Sequence, residues 1–197
     1  MFANHQPALA RLGRSSPQGL ERIATFALCT IRWPLRLAVA DYPLVRRGDH
    51  AQSIFGAKHN GLAYLRQHAA DLWERCEYAF TELDDDDAAD TILGILTEVP
   101  SLGPAKAGFT AQMIYGLSGC IDTHNLTRFN LPARHFEAQR HRSKFYPLLH
   151  DYNSFCRRAG GTEALWDGWC TYLAGRDPVN YASAEIVSAL HLCPLEL

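Results

Sequence analysis

The sequence predicts an all-α fold. Apolar residues recur at three- and four-residue spacing over long stretches, no segment keeps the alternation of a half-buried strand, and Gly and Pro fall mainly between the periodic runs. With 197 residues, 47% of them hydrophobic and 20% charged, the chain has ordinary globular composition and is long enough to bury a core.

Residues 1–19 carry Pro7, Gly13, Ser15, Ser16, Pro17 and Gly19 with little periodicity and read as an irregular N-terminal arm. Residues 20–197 read as one helical domain. Ile23, Phe26, Ala27, Cys29 and Ile31 predict a buried helix ending before Pro34, continued after a kink by Leu35 to Ala40. The polar stretch 43–61 reads as a long loop with room for one short helix. Leu62, Leu65, Ala69, Leu72, Trp73, Cys76 and Phe80 form the stripe of an amphipathic helix of about six turns. The carboxylates Asp84 to Asp87 splay apart on a helix start, so they predict N-terminal capping of the run that follows rather than a metal site. Further on, residues 146–174 predict two helices separated by Gly160 and Gly161, and a short final helix follows Ser183.

A formal charge of -2 provides no global basic field, so any nucleic-acid contact must come from a local patch or from backbone amides. The cysteines Cys29, Cys76, Cys120, Cys156, Cys170 and Cys193 include no C-x-x-C pair, which speaks against a zinc or iron-sulfur site and for reduced core thiols. No long apolar run follows the N-terminal charges and no stretch is long enough to span a bilayer, so the expectation is a cytoplasmic protein without a membrane partner.

The chemistry concentrates in residues 99–129, VPSLGPAKAGFTAQMIYGLSGCIDTHNLTRF. A helix ending near Glu98, a turn at Pro100-Ser101-Leu102-Gly103 and a helix opening at Pro104 predict a hairpin over 99–107. Proline suits a first helical position because its missing amide would be unpaired there. Gly103 is expected to let the backbone turn sharply and approach a ligand, leaving a helix N-terminus free for an anion such as a DNA phosphate. Gly116 to Gly119 then break the helix, and Cys120-Ile121-Asp122-Thr123-His124-Asn125-Leu126 open another, the candidate catalytic segment 120–128.

V-P-S-L-G-P-A-K-A followed about one helix later by I-D-T-H-N resembles the helix-hairpin-helix DNA glycosylase superfamily, which pairs an L-P-G-x-G-x-x-x-A hairpin with a V-D-T-H segment. The resemblance implies a glycosylase-like helical bundle, with Leu102, Gly103, Pro104 and Ala105 on the phosphate-binding hairpin and Asp122 as the carboxylate facing an extruded nucleotide. Two positions depart from the pattern. Ser101 replaces the first hairpin glycine, and Ala105 stands where lyase-competent members carry a nucleophilic lysine, with Lys106 one position late and about 100° round the helix.

The segments G-C-I-D-T-H-N-L, K-A-G-F, W-D-G-W-C-T-Y-L and S-A-E-I-V-S-A-L-H are similar to a phage group within that superfamily, the amino acid:DNA transferases and alpha-glutamyl/putrescinyl thymidine pyrophosphorylases. This resemblance implies thymidine hypermodification in phage DNA. An amine, such as an amino acid co-substrate, attacks the methylene carbon of a pyrophosphorylated 5-hydroxymethyluracil flipped out of double-stranded DNA and releases pyrophosphate. A monovalent or divalent cation at the hairpin or on the pyrophosphate is compatible with that chemistry, and no resident cofactor is implied. A monofunctional glycosylase that excises a modified base, and a non-catalytic DNA-binding module, are the alternatives.

Each candidate also has a plain structural role. Asp122 is a good N-cap, so catalysis and capping compete for it. His124 and Asn125, candidates for substrate contact, occupy a first turn where polar side chains satisfy local amides. Lys106 is a solvated helix residue or a phosphate contact. Arg128, Arg134, Arg140, Arg142, Lys144, His135 and His141 form the densest basic region, a solvated loop or a DNA-tracking surface. Trp166, Trp169, Tyr172 and Phe155 are expected in the core, and only the resemblance singles out Ser188 and His191.

Overall fold

The computed structural model describes residues 2–136 and 142–174 together with Leu190, and of these the side chains apart from residues 2–4, 142–144 and 169–174. Among the described residues the secondary structure is helical without strands, as the periodicity predicts: α1 Phe2–Arg14, α2 Pro17–Cys29, α3 Leu35–Arg47, α4 Lys58–Glu82, α5 Asp85–Leu96, α6 Pro104–Tyr115, α7 Thr123–Arg128, α8 Arg142–Arg158 and α9 Gly161–Ala174.

The expected N-terminal arm is instead α1, and α2 follows at once. Leu9 is fully buried and Leu12 packs on the same core, while Gly13 lies so close to α6 that a Cβ would stand 2.7 Å from Ile114 Cγ1. This burial outweighs the proline inside α1, and tertiary packing decides where local sequence reads as irregular. The Ser15-Ser16-Pro17 cluster marks a helix junction: Ser16 caps α2 by accepting from the Gly19 amide, with Pro17 in the first turn.

The kinked helix expected over 20–40 is two helices. Thr30 ends α2, Arg32 takes a left-handed φ of 51°, and α3 runs through Pro43 to Arg47 before Gly48 closes it in the left-handed conformation. The loop expected over 43–61 therefore shrinks to 48–57, and α4 begins four residues before its apolar stripe. Asp84 accepts from the Asp86 and Asp87 amides, so the acidic run is a cap as predicted. Gly160 lies between α8 and α9 and Gly161 opens α9, both at positive φ.

The core runs between α2, α4, α5 and α6, with Phe26, Ile92, Phe109 and Trp166 fully or almost fully buried. Trp166 stacks on Phe109 with ring centroids 5.7 Å apart, a core role as predicted. Phe155 meets Phe129 edge to face, centroids 5.3 Å apart. The side chains of Trp169 and Tyr172 and the expected final helix, with Ser188 and His191, lie outside the described residues; so do Arg140 and His141 and the side chains of Arg142 and Lys144. No helix among the described residues is long and apolar enough to cross a membrane.

Candidate functional site

The hairpin forms where the sequence places it. α5 ends at Leu96, the Leu102 amide closes the turn on the Val99 carbonyl at 3.0 Å, and buried Leu102 anchors the turn to the core. The sharp bend, however, is at Ser101, whose φ is 75°. Gly103 is extended at φ -74° and ψ 175°, and no atom lies within 4 Å of where its Cβ would be. Neither its own conformation nor any described neighbour requires glycine there. Its carbonyl takes the Lys106 amide at 3.0 Å and the Ala107 amide at 2.9 Å. With Pro104 lacking an N–H, the Ala105 amide is the one the first turn leaves for an outside acceptor.

A second wall is laid across α6. A Cβ on Gly108 would stand 2.3 Å from the Gly119 carbonyl oxygen, so glycine is required where the 116–122 segment crosses the helix. Buried side chains then fix that segment amide by amide. Gln112 Oε1 accepts from the Cys120 amide at 3.2 Å, and Tyr152 Oη accepts from the Ile121 amide at 2.8 Å while donating to the Gly119 carbonyl at 2.7 Å. Burial keeps the Tyr152 hydroxyl well above its ordinary titration range.

These supports deliver Asp122 to the start of α7, where it accepts from the His124 amide at 3.0 Å and the Asn125 amide at 3.2 Å. The capping role is thus real. It leaves the carboxylate half-buried at the edge of a cavity of about 240 Å³ lined by Ala105, Lys106, Ile121, Asp122, Thr123 and, on the far side, Leu126, Ala133 and Phe136. Lys106 and Asp122, distant in the chain, therefore share one cleft beside the hairpin. The Lys106 ammonium also stands 5.2 Å from the centroid of the Phe109 ring. Cys120 registers both charges: burial first and Asp122 second raise its thiol pKa, and Lys106 acts against them.

Other candidates fall elsewhere. Asn125 is 1% exposed and donates to the Cys120 carbonyl at 2.5 Å, so its side chain ties α7 to the segment before it rather than facing a substrate. His124 is half-buried outside the cleft lining. Arg128, at the end of α7, stands 5.0 Å from the Phe129 ring centroid and presses on α9, where a Cβ on Gly168 would meet its Nη1 at 1.8 Å. Its exposed guanidinium is held by α9 and not by the hairpin. Arg134 and His135 lie in the exposed turn bordering the cleft.

A larger cavity, about 1110 Å³, opens between α4, α5 and α8. It contains none of the predicted residues, and its charges are largely paired, Arg75 with Glu98 and Asp71 and His150 with Asp90. Among the described residues no three His, Cys, Asp or Glu side chains converge to hold a metal ion. Sequence reasoning passed over Lys58, which is 3% exposed at the start of α4; its position inside the stretch read as loop hid it. No protein-family model, curated protein or solved structure matches the chain.

Proposed function

We propose that this protein is a DNA-modifying enzyme of the helix-hairpin-helix glycosylase-like type. It grips the phosphate backbone at the 99–107 hairpin and works on an extruded 5-substituted uracil in the cleft of Lys106 and Asp122. The observation that carries the reading is that cleft: Asp122 and Lys106, from separate segments, both line it beside the N-terminus of α6. At about 240 Å³ it is smaller than the roughly 300–1,000 Å³ typical of drug-sized ligand sites, which suits one ring-sized group.

The chemistry assigned is transfer. An amino acid or another amine attacks the methylene carbon of the pyrophosphorylated base, a C–N bond forms as the C–O bond breaks, and pyrophosphate departs with the bonding electron pair. Asp122 takes the proton from the attacking amine or stabilises positive character at the carbon, and Lys106 neutralises oxyanion charge. Ala105 in the cleft wall leaves the position of a Schiff-base lysine empty of an amine, which supports modification over lyase chemistry.

The test is incubation with duplex DNA bearing pyrophosphorylated 5-hydroxymethyluracil and an amino-acid mixture, followed by digestion and nucleoside mass measurement. A heavier nucleoside is expected. Abasic sites would replace the proposal with base excision, and unchanged DNA with retained binding would replace it with a DNA-binding module, the role to which the capping bonds of Asp122 alone would lead.

A further inference from the structure

The cavity of about 1110 Å³ between α4, α5 and α8 has three properties that helix packing does not account for. The first is a glycine that its helix does not need. Gly94 stands inside α5, where glycine is less favourable than alanine, and it is not one of the left-handed glycines. A Cβ there would meet Leu149 Cδ1 at 3.5 Å and Tyr146 Cε1 at 4.0 Å, both ordinary contact distances. A methyl group would fit, so the missing side chain leaves space beside the buried Ile95 and Leu149 that packing would otherwise fill.

The second is a pair of exposed rings. Tyr78 of α4 is 66% exposed and Tyr146 of α8 is 72% exposed, against 36–42% for Leu37, Phe55 and Leu83. These two most exposed of the large apolar side chains described line the same cavity. Tyrosine offers a large apolar face with few rotamers to freeze, which suits it to binding surfaces.

The third is an excess of acid. Asp71 and Glu74 of α4 and Asp90 and Glu98 of α5 line the cavity with one guanidinium, Arg75, and one imidazole, His150. Arg75 is shared between Asp71 and Glu98, and His150 meets Asp90 at 2.8 Å. Glu74 has no ion-pair or hydrogen-bond partner among the described residues. Such a surface repels phosphate and attracts cations, so its ligand is not the nucleic acid assigned to the hairpin. Residues 90–98 of α5 give the trough a length of about 12 Å. That seats about four residues of extended chain at roughly 3.3 Å each, and is too small for a folded partner, which needs about 800 Å² on each side.

We propose that this trough receives a short basic segment of a partner protein. Its Lys or Arg stems lie on the floor around Gly94, between Tyr78 and Tyr146, and their cationic ends reach Glu74 and the neighbouring carboxylates. The proposal does not depend on the DNA reading.

The test uses two fluorescein-labelled pools of degenerate hexapeptides with apolar residues at alternate positions, one pool with Lys and Arg between them and the other with Asp and Glu. Binding to the full chain is followed by anisotropy, and the tightest basic peptide is then titrated against variants. The basic pool is expected to bind and the acidic pool not to. Tyr78→Ala and Tyr146→Ala should each weaken the chosen peptide about fivefold, and Glu74→Gln about twofold to fivefold at low salt. Gly94→Leu should abolish binding without lowering the melting temperature, and Glu163→Gln, on α9, should change nothing. Equal binding of both pools, or affinity for the basic peptide that ignores all four trough variants, overturns the site. No binding of the basic pool overturns a peptide as the occupant, and a melting temperature raised by spermidine in that case gives the trough to a small polyamine instead. Should Gly94→Leu not fold, Tyr146→Ala, a truncation at the surface, decides.

Discussion

The two walls of the cleft are built in opposite ways. The 116–122 segment is held by side chains: Gln112, Tyr152 and Asn125 each bond its backbone from inside the core. The hairpin turn is held by its own backbone bonds and by contact with α4 at Gly61, and its helix opens on Gly103 with nothing packed over it. One wall is fixed from within and positions a charge. The other presents bare backbone outward, which is what contact with a repeating anion requires.

The largest expected effect lies on the fixed wall. Asparagine caps a helix about as well as aspartate, so Asp122→Asn should leave denaturant stability within about 0.5 kcal/mol while cutting product formation by about 10²-fold or more. Equal rates in both proteins would reduce Asp122 to a cap and erase the functional contrast between the walls. Next comes Tyr152→Phe, which strips the Ile121 amide and the Gly119 carbonyl of their buried partner and should cost about 2–4 kcal/mol in urea unfolding. A loss under 1 kcal/mol would show that the segment does not depend on that brace. On the hairpin side, Gly61→Ala drives a methyl group into the Pro100 carbonyl and should cost about 1–3 kcal/mol. Ser101→Gly should instead add about 1 kcal/mol, because the left-handed φ of 75° is strained for serine. A destabilised Ser101→Gly protein would mean that the hydroxyl has a role in the turn.

The smallest effect concerns pH. Lys58 has its pKa lowered to about 8 by burial first, with Cys29 acting against this and Lys106 and Arg32 adding to it. In the folded protein it loses its proton before an unfolded lysine does. The unfolded chain therefore binds more protons above pH 8, and the stability that depends on Lys58 rises from there toward the ordinary lysine range. Calorimetric melting of wild-type and Lys58→Met proteins, compared from pH 7 to pH 10, checks this trend; identical profiles would show that Lys58 titrates as an ordinary lysine in the folded protein.

The helices around the cleft were legible because local and tertiary signals agree: Pro104 at a first turn, Gly116 as a left-handed stop, and Asp122 and Asp84 as caps act within a few residues of themselves. That Lys106 and Asp122 belong to one site was anticipated only through the resemblance of the two motifs to a known superfamily. What the sequence hid depends on distant partners. α1 is helical because Leu9 and Gly13 meet α6, and Asn125 turns inward because the Cys120 carbonyl needs a donor. Gly61 is required because α4 passes under a turn some forty residues later in the chain. Gly103 misled for another reason: a glycine can mark space kept clear as well as a backbone bend, and composition does not distinguish the two.

The crossing at Gly108 bears on selectivity. With the Gly119 carbonyl seated against the face of α6 at Gly108 and the amides after it tied to Gln112 and Tyr152, that side of the cleft is braced by the core. On the function proposed above, such a wall would serve as a gauge: candidates would be sorted by girth on entry, and the penalty for oversize would fall on the visitor instead of being spread through the fold.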